Sequence, residues 1–530
     1  MHVVMIHGYF LKGTGSNLFV RNICRVLCQK GHEVSLVCQE NDVEDIDFIE
    51  EAFDFCSDNT SYIDFHSKTT SYKGKCKLYR PNLNGFLPVF VHDYYEGYEV
   101  KEFIACTQEE IESYLGKNKK ALDLIFAQQD PDIVWTNHTI MQPVYIARSI
   151  LGNKRNMHVM TMHGSCLNFA VKKSPLLANY AMESVKKVDR IVFVSDYSQD
   201  EFQTFFSEED VIKQKSVVIP AGVDLEKFLP LDGQTDKNTY IQSLIKNLEI
   251  EKNKKNSRPA KSSWQTDENI LSKLKLIDFE KERIILYYGK YLWTKGLQLL
   301  IAAAPLILQR HEHTRFIFVG FGSSRKYFES LVEALEGGHR ELYIDLLKYP
   351  EKFDKEIENF SSQFFLALIE CLKDQGFAET YFSTAQNRIG NAVTFTGFLA
   401  HDYLKGLIAC SDVTTAPSIF PEAFGMVAVE ALSAGIIPVQ TNHSGFAEVI
   451  RKYVDEFCDV FDKSKMNPLY LDENLVLNMA KNISFLLDYY EEMDTSQRQS
   501  IRQRARNICT ENYSWENIVE RYLKIHSERR

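Results

Sequence analysis

Twice along this chain a short apolar run stops at a glycine turn and gives way to a helix, and that repeat constrains the fold more than any other feature. Val3-Val4-Met5-Ile6 stops at His7-Gly8-Tyr9-Phe10-Leu11-Lys12-Gly13-Thr14-Gly15-Ser16, after which Leu18, Val20, Ile23, Val26 and Leu27 keep helical spacing. Gly31-His32-Glu33 closes that helix, and Val34-Ser35-Leu36-Val37 makes a second strand. The other instance is Ile284-Ile285-Leu286-Tyr287-Tyr288, ending at Gly289-Lys290. Strand, helix and strand in this order give parallel pairing with a right-handed crossover, so the expected class is α/β with doubly wound sheets. Such sheets gather ligands at the carboxyl ends of their strands. The glycines do not spell G-x-G-x-x-G, so the dinucleotide fingerprint is absent. Read alone, the Gly13–Gly15 loop fits a phosphate-facing turn and a plain surface turn equally well.

Further strands are expected at Ile133-Val134-Trp135-Thr136, from His158 to Met162, and at Ile191-Val192-Phe193-Val194. In the second half they are Phe316-Ile317-Phe318-Val319 before Gly320, and Val393-Thr394-Phe395. A chain of 530 residues exceeds one ordinary core and fits two domains with insertions. Residues 231–281 are polar, lysine-rich and turn-rich, and are expected to form a surface insertion. Residues 331–391 have helical character and exceed a simple connection between strand and helix, so they read as a helical insertion. Residues 88–101 mix aromatic and charged side chains. They fit an ordinary strand and loop, or a wall on the acceptor side of a site.

The most chemically informative stretch runs from Pro417 to Gly435. It places Glu422 and Glu430 on either side of a glycine, Gly425, that opens a helix. Free N–H groups on Met426 and Val427, at the positive end of the helix dipole, make an anion site that suits a diphosphate. Glu430 lies five residues further in, about 7–8 Å along the axis at 1.5 Å per residue. That is about the offset from a diphosphate to its ribose, whose hydroxyls a carboxylate can accept. Glu422, just outside the helix, stands where a sugar would be. Gly435 ends the helix before Ile436-Ile437-Pro438-Val439-Gln440.

This stretch resembles the donor-binding signature of retaining GT-B glycosyltransferases, the family 4 enzymes also described as glycosyl transferases group 1. The pattern Gly289-Lys290…Lys295-Gly296 resembles that family's Gly-Arg…Lys-Gly phosphate clamp, with lysine in place of arginine at 290. His163-Gly164 resembles its histidine beside the donor sugar, and Val218-Ile219-Pro220-Ala221-Gly222-Val223-Asp224 resembles its hinge between domains. The resemblance implies two Rossmann-like domains facing a central cleft. Residues 1–222 would form the acceptor side, with a C-terminal helix at 511–530 packing back on them. Residues 223–282 would be a polar linker, and 283–510 the donor side.

The resemblance further implies catalytic roles for His163, Lys290, Lys295 and Glu422. Donor contacts would come from Gly13, Gly15, Gly289, Phe398, Leu399, Ala423, Phe424, Gly425, Met426, Val427 and Glu430. Asn137 and His138 would line the acceptor side. The implied reaction transfers a hexose from a UDP-, GDP- or ADP-linked sugar to a hydroxyl of a carbohydrate, lipid or small-molecule acceptor, with no cofactor and no metal. Ser444-Gly445 departs from the commoner Gly-Gly pair. A sugar-nucleotide epimerase and an inactive binding or scaffold protein of the same fold are the rival readings.

Two D-x-D spacings, Asp45-Ile46-Asp47 and Asp130-Pro131-Asp132, read as turn residues rather than metal ligands. A net charge of −11 argues against nucleic acid as a bulk electrostatic partner. Eleven cysteines without C-x-x-C pairs point to reduced thiols and a cytoplasmic protein. No apolar run is long enough to span a bilayer, and no basic segment precedes the first strand, so neither a transmembrane segment nor a leader is expected.

Overall fold

The computed structural model describes all residues except 14, 92–94, 154–155, 207–208, 232–236, 256–265, 355–356, 358–361, 460–465, 467 and 528–530. The chain divides into two compact units, one of Met1–Gly222 with Tyr513–Arg530 and one of Val223–Asn512.

The first unit holds strands β1 (His2–Ile6), β2 (Glu33–Val37), β3 (Glu51–Phe55), β4 (Tyr62–Ser67) and β5 (Cys76–Arg80). It continues with β6 (Phe86–Val89), β7 (Glu99–Glu102), β8 (Ile133–Asn137), β9 (Met157–Met162), β10 (Arg190–Phe193) and β11 (Ser216–Val218). Nine of them form one sheet in the order β11-β10-β9-β8-β1-β2-β5-β3-β4, parallel except where β3 meets β4. Val3, Val4, Met5 and Ile6 are fully buried because helices cover both faces, which is why β1 reads as an unbroken apolar run. The helix Ser16–Gln29 buries Phe19, Val20, Ile23, Val26 and Leu27. Phe19 thus takes the core position expected of Leu18. The C-terminal helix Trp515–Ser527 packs here too. Its Trp515 ring fills the space beside Gly222, and Tyr522 stacks on Trp135 with centroids 4.0 Å apart.

The second unit holds β12 (Arg283–Tyr288), β13 (Thr314–Val319), β14 (Val393–Phe395), β15 (Val413–Ala416) and β16 (Pro438–Gln440), in the order β14-β13-β12-β15-β16 and all parallel. In the second sheet the strand sequence runs outward in both directions from β12, and in the first from β1, except that β5 comes before β3 and β4. The reversal falls between β1 and β8 in the first unit and between β12 and β15 in the second. Those are the points at which a doubly wound sheet leaves a crevice at its carboxyl edge.

One expectation changes. Residues 231–281 are not merely a polar surface excursion. They include the helix Lys237–Lys255, whose Ile241, Leu244, Ile245 and Leu248 are buried. Thr266 also bridges to Gly397, and Asp267 pairs with Arg325 at 2.6 Å. The described part of 331–391 is helical, as expected, with Arg340–Lys348, Leu366–Cys371 and Gln375–Ala392 lying between β13 and β14. The helix Gln375–Ala392 lies on the helix Leu297–Arg310, where the Tyr381 hydroxyl donates to the Ala302 carbonyl at 2.8 Å. Among residues 88–101, β6 and β7 pair in a separate two-stranded sheet, and 92–94 lie outside the described residues.

Candidate active site

In the first unit the carboxyl ends of β1, β8 and β9 bring His7, Asn137, His138 and His163 together. The half-buried His163 donates from Nε2 to Asn137 Oδ1 at 2.8 Å, and Asn137 Nδ2 in turn donates to the Ile6 carbonyl at 2.9 Å. The asparagine amide is oriented by that second bond, so Nε2 carries the proton and Nδ1 is left as an acceptor. Burial pushes His163 down to about 3, so its ring is neutral across the physiological range. His7 Nε2 donates to Asn17 Oδ1 at 2.8 Å, and Asn17 Nδ2 holds the Lys12 carbonyl at 2.7 Å, which ties down the loop after β1. Burial pushes His7 down to about 4.

Asn137 and His138, expected to line an acceptor surface, are instead buried, at 0% and 1% exposure. Asn137 faces β1 because its amide completes the hydrogen bonding at the end of that strand. His138 is enclosed by aromatic rings, with Phe90 4.6 Å and His163 5.0 Å away between centroids. Neither of its ring nitrogens has a hydrogen-bond partner among the described residues. Gly13 and Gly15 occupy the same loop, with φ of 108° and 62°, and Gly15 precedes the helix Ser16–Gln29. Thr14 between them lies outside the described residues.

In the second unit the crevice between β12 and β15 is charged. Lys295 Nζ lies 2.5 Å from Glu422 Oε1, and both side chains are partly exposed. The Lys290 carbonyl accepts from the Tyr287 hydroxyl at 3.0 Å, and the Gly289 N–H donates to Val319 O at 3.0 Å. Gly425 has φ of 110° and leads into the helix Met426–Ser433. A Cβ there would lie 2.2 Å from the Phe446 ring, so glycine is required by space as well as by conformation. The N–H groups of Met426 and Val427 have no partner among the described residues, as the first turn of a helix dictates. Ala423 and Phe424 form the turn before the helix, and Phe424 is buried. The Glu422 N–H donates to Ser444 Oγ at 2.9 Å, and Gly445 N–H donates back to the Glu422 carbonyl at 2.9 Å. Ser444 adopts φ of 50°, a conformation where glycine is commoner, and its hydroxyl makes a bond that glycine could not.

Glu430 sits inside the same helix at 4% exposure. Burial raises its pKa to about 8, opposed by the charge of Lys227 and by the neighbouring Tyr288, whose hydroxyl donates to the Val427 carbonyl at 2.6 Å. His401 Nε2 lies 4.0 Å from its Oε1, but burial pushes His401 down to about 4, so the two are not an ion pair at neutral pH. Leu399 is buried, and the Phe398 carbonyl accepts from Thr266 Oγ1 at 2.8 Å.

The D-x-D pairs serve structure. Asp45 pairs with Lys12 at 3.0 Å, Asp47 accepts from Tyr72, and Asp132 accepts from the His2 N–H at 2.8 Å. Sequence reasoning passed over His7, Asn17 and Tyr288. Only the position of His7 immediately after β1 signalled it.

Two doubly wound sheets, parallel but for the β3–β4 edge of the first and each with polar residues at a carboxyl-edge crevice, make this an α/β protein of GT-B fold. The chain belongs to the group 1, family 4 glycosyltransferases. "Glycosyl transferases group 1" matches residues 272–357 and 373–484, and "Glycosyltransferase Family 4" matches residues 75–227. An uncharacterized glycosyltransferase of Methanocaldococcus jannaschii is 25% identical over 264 residues, covering 50% of this chain and 49% of the relative. The match thus spans about half of that relative's length.

Among solved structures, sucrose-phosphate synthase from Thermosynechococcus elongatus is similar with a TM-score of 0.55 at 16% identity, covering 99% of this chain and 98% of the other. Anabaena HepE in complex with UDP-glucose is similar with a TM-score of 0.52 at 14% identity, covering 100% of each chain. Both likenesses concern the fold. No helix among the described residues is long and apolar enough to cross a membrane.

Proposed function

We propose that this chain is a retaining hexosyltransferase that moves a sugar from a nucleoside diphosphate to an acceptor hydroxyl without a metal. The observation that carries the reading is the Lys295–Glu422 pair beside the unpartnered N–H groups of the helix Met426–Ser433, with Glu430 buried further along it. A diphosphate at that helix mouth would receive the two N–H groups and the charges of Lys290 and Lys295, which stabilise the leaving group as its charge develops. Lysine at 290 supplies a point charge rather than a planar fork. Glu430 would accept the ribose hydroxyls, Glu422 would hold hydroxyls of the sugar, and backbone near Phe398 and Leu399 would meet the base. His163, neutral and with Nδ1 as acceptor, would accept a hydrogen bond from a hydroxyl rather than hold an anion. In same-face substitution the departing phosphate oxygen takes the acceptor proton as the new glycosidic bond forms.

UDP is the first nucleotide to try, since HepE, of the same fold, is described in complex with UDP-glucose. UDP, GDP and ADP sugars are to be screened by thermal shift on wild type and Glu430→Ala. At about 100 times its dissociation constant a ligand adds about 2.7 kcal/mol to the folded state. A rise with one nucleotide, lost in the variant, supports the reading. Proton NMR of the product would then show the donor's anomeric configuration retained. An inverted product overturns the mechanism, and no rise with any nucleotide overturns the donor site.

A further inference from the structure

The second unit carries another cationic site, at the opposite edge of its sheet from Glu422. Asp412 leads into β15 and Gly435 closes the helix Met426–Ser433 ahead of β16, so both lie at the amino ends of their strands. With Lys237, Tyr490, Arg498 and Arg502 they line a cavity of about 50 Å³. A water needs about 10–15 Å³ in that measure, so there is room for about four waters or one tetrahedral oxyanion.

The charges in the cavity do not balance. The Asp412 carboxylate is committed: it accepts from Lys237 Nζ at 3.0 and 3.2 Å and from the Ile284 N–H at 2.8 Å. Arg498 donates one bond, to the Tyr490 carbonyl at 2.5 Å, and its Nε is buried without a partner. The stem of Arg502, at Cβ and Cγ, runs beside Gly435, and its guanidinium has no hydrogen bond or ion pair to any described residue. Burial pulls its pKa below the ordinary arginine value, opposed by the charge of Asp412. Three cations thus face one carboxylate that Lys237 already neutralises. Both arginines are half-buried and the Arg498 Nε is fully so; guanidinium groups in such places are ordinarily paired, and two with spare donors on one small cavity point to a missing anion.

We propose that this cavity binds a phosphate-type dianion, either free phosphate or the phosphoryl group of a small phosphomonoester whose remainder projects into solvent. The site is separate from the donor crevice, and nothing in the reaction proposed above requires it.

The test is calorimetry with inorganic phosphate and with glucose 6-phosphate, against chloride at matched ionic strength. The full chain is compared as wild type, Arg502→Gln, Arg502→Lys, Arg498→Gln and Lys290→Ala. We expect phosphate binding in wild type, equal affinity in Lys290→Ala, and at least a tenfold loss, about 1.4 kcal/mol, in Arg502→Gln. Arg502→Lys should retain part of the affinity, and Arg498→Gln serves if Arg502→Gln does not fold. Tighter binding of glucose 6-phosphate would identify the phosphomonoester as the source, and tighter binding of phosphate the free ion. No binding above chloride, equal binding in the Arg502→Gln and Arg498→Gln proteins, or loss of binding in Lys290→Ala would each overturn the proposal.

Discussion

The two crevices are built on the same topology and filled with opposite chemistry. At the carboxyl edge of the first unit, His7, Asn137, His138 and His163 are packed among aromatic rings, and burial holds all three imidazoles neutral. At the carboxyl edge of the second, Lys295 and Glu422 stay partly in solvent beside open helix N–H groups. A neutral crevice can exchange hydrogen bonds with hydroxyls but offers little to a diphosphate, whereas the charged one can hold an anion. Shared topology therefore says where a ligand goes, and the residues ending each strand say which ligand.

The largest effect that would break this contrast is on turnover. In the reaction proposed above Lys295→Ala would remove a charge from the leaving group and strand Glu422, so kcat should fall about 10²–10³-fold. Single-turnover release of nucleotide would measure it, and a fall of less than threefold or so would remove Lys295 from the mechanism.

Next is nucleotide affinity. Glu430→Ala should weaken binding by about 1–3 kcal/mol, the usual cost of leaving a buried hydrogen-bonding group unsatisfied, read by calorimetry.

The crevices should also respond to pH in opposite senses. His163 titrates at about 3 in the folded chain against 6.5 unfolded, so its contribution is present above pH 6.5 and is lost as pH falls toward 3. Glu430 titrates at about 8 against 4.5 unfolded, so its contribution is present below pH 4.5 and is lost as pH rises toward 8. Melting curves of Glu430→Gln should therefore lose the fall in stability that wild type shows between pH 4.5 and 8. Those of His163→Gln should flatten part of the acid side, since His7 and His138 remain. Parallel pH profiles in the two variants would contradict the contrast.

Gly425→Ala should cost about 1–3 kcal/mol in chemical denaturation, through strain at positive φ and the clash with Phe446. An unchanged midpoint would mean that the helix mouth yields more easily than its packing implies.

Much of the fold was legible because its signals are local. An apolar run ended by glycine marks a buried parallel strand, and the rise from Gly425 to Glu430 is a property of one helix. Strand order was not legible, since it depends on crossovers that no short window contains. The helix Lys237–Lys255 was hidden in plain view: Ile241, Leu244, Ile245 and Leu248 fall at i, i+3, i+4 and i+7, but lysine and asparagine around them mask the period. The pairing of Lys295 with Glu422 joins residues 127 apart in sequence and needed the sheet to bring them together. Burial of Asn137 and His138 likewise depends on neighbours from β1 and on Phe90. Arg498 and Arg502, one helical turn apart, look in sequence like an ordinary solvated face.

The central claim is that nucleotide is held by the charged crevice and not by the neutral one. Its most direct test is titration calorimetry of UDP, GDP and ADP into wild type, Glu430→Ala and His163→Ala. The account predicts that one nucleotide binds wild type, that Glu430→Ala weakens it at least about tenfold, and that His163→Ala leaves it within about twofold. Loss in His163→Ala with full affinity in Glu430→Ala would contradict it.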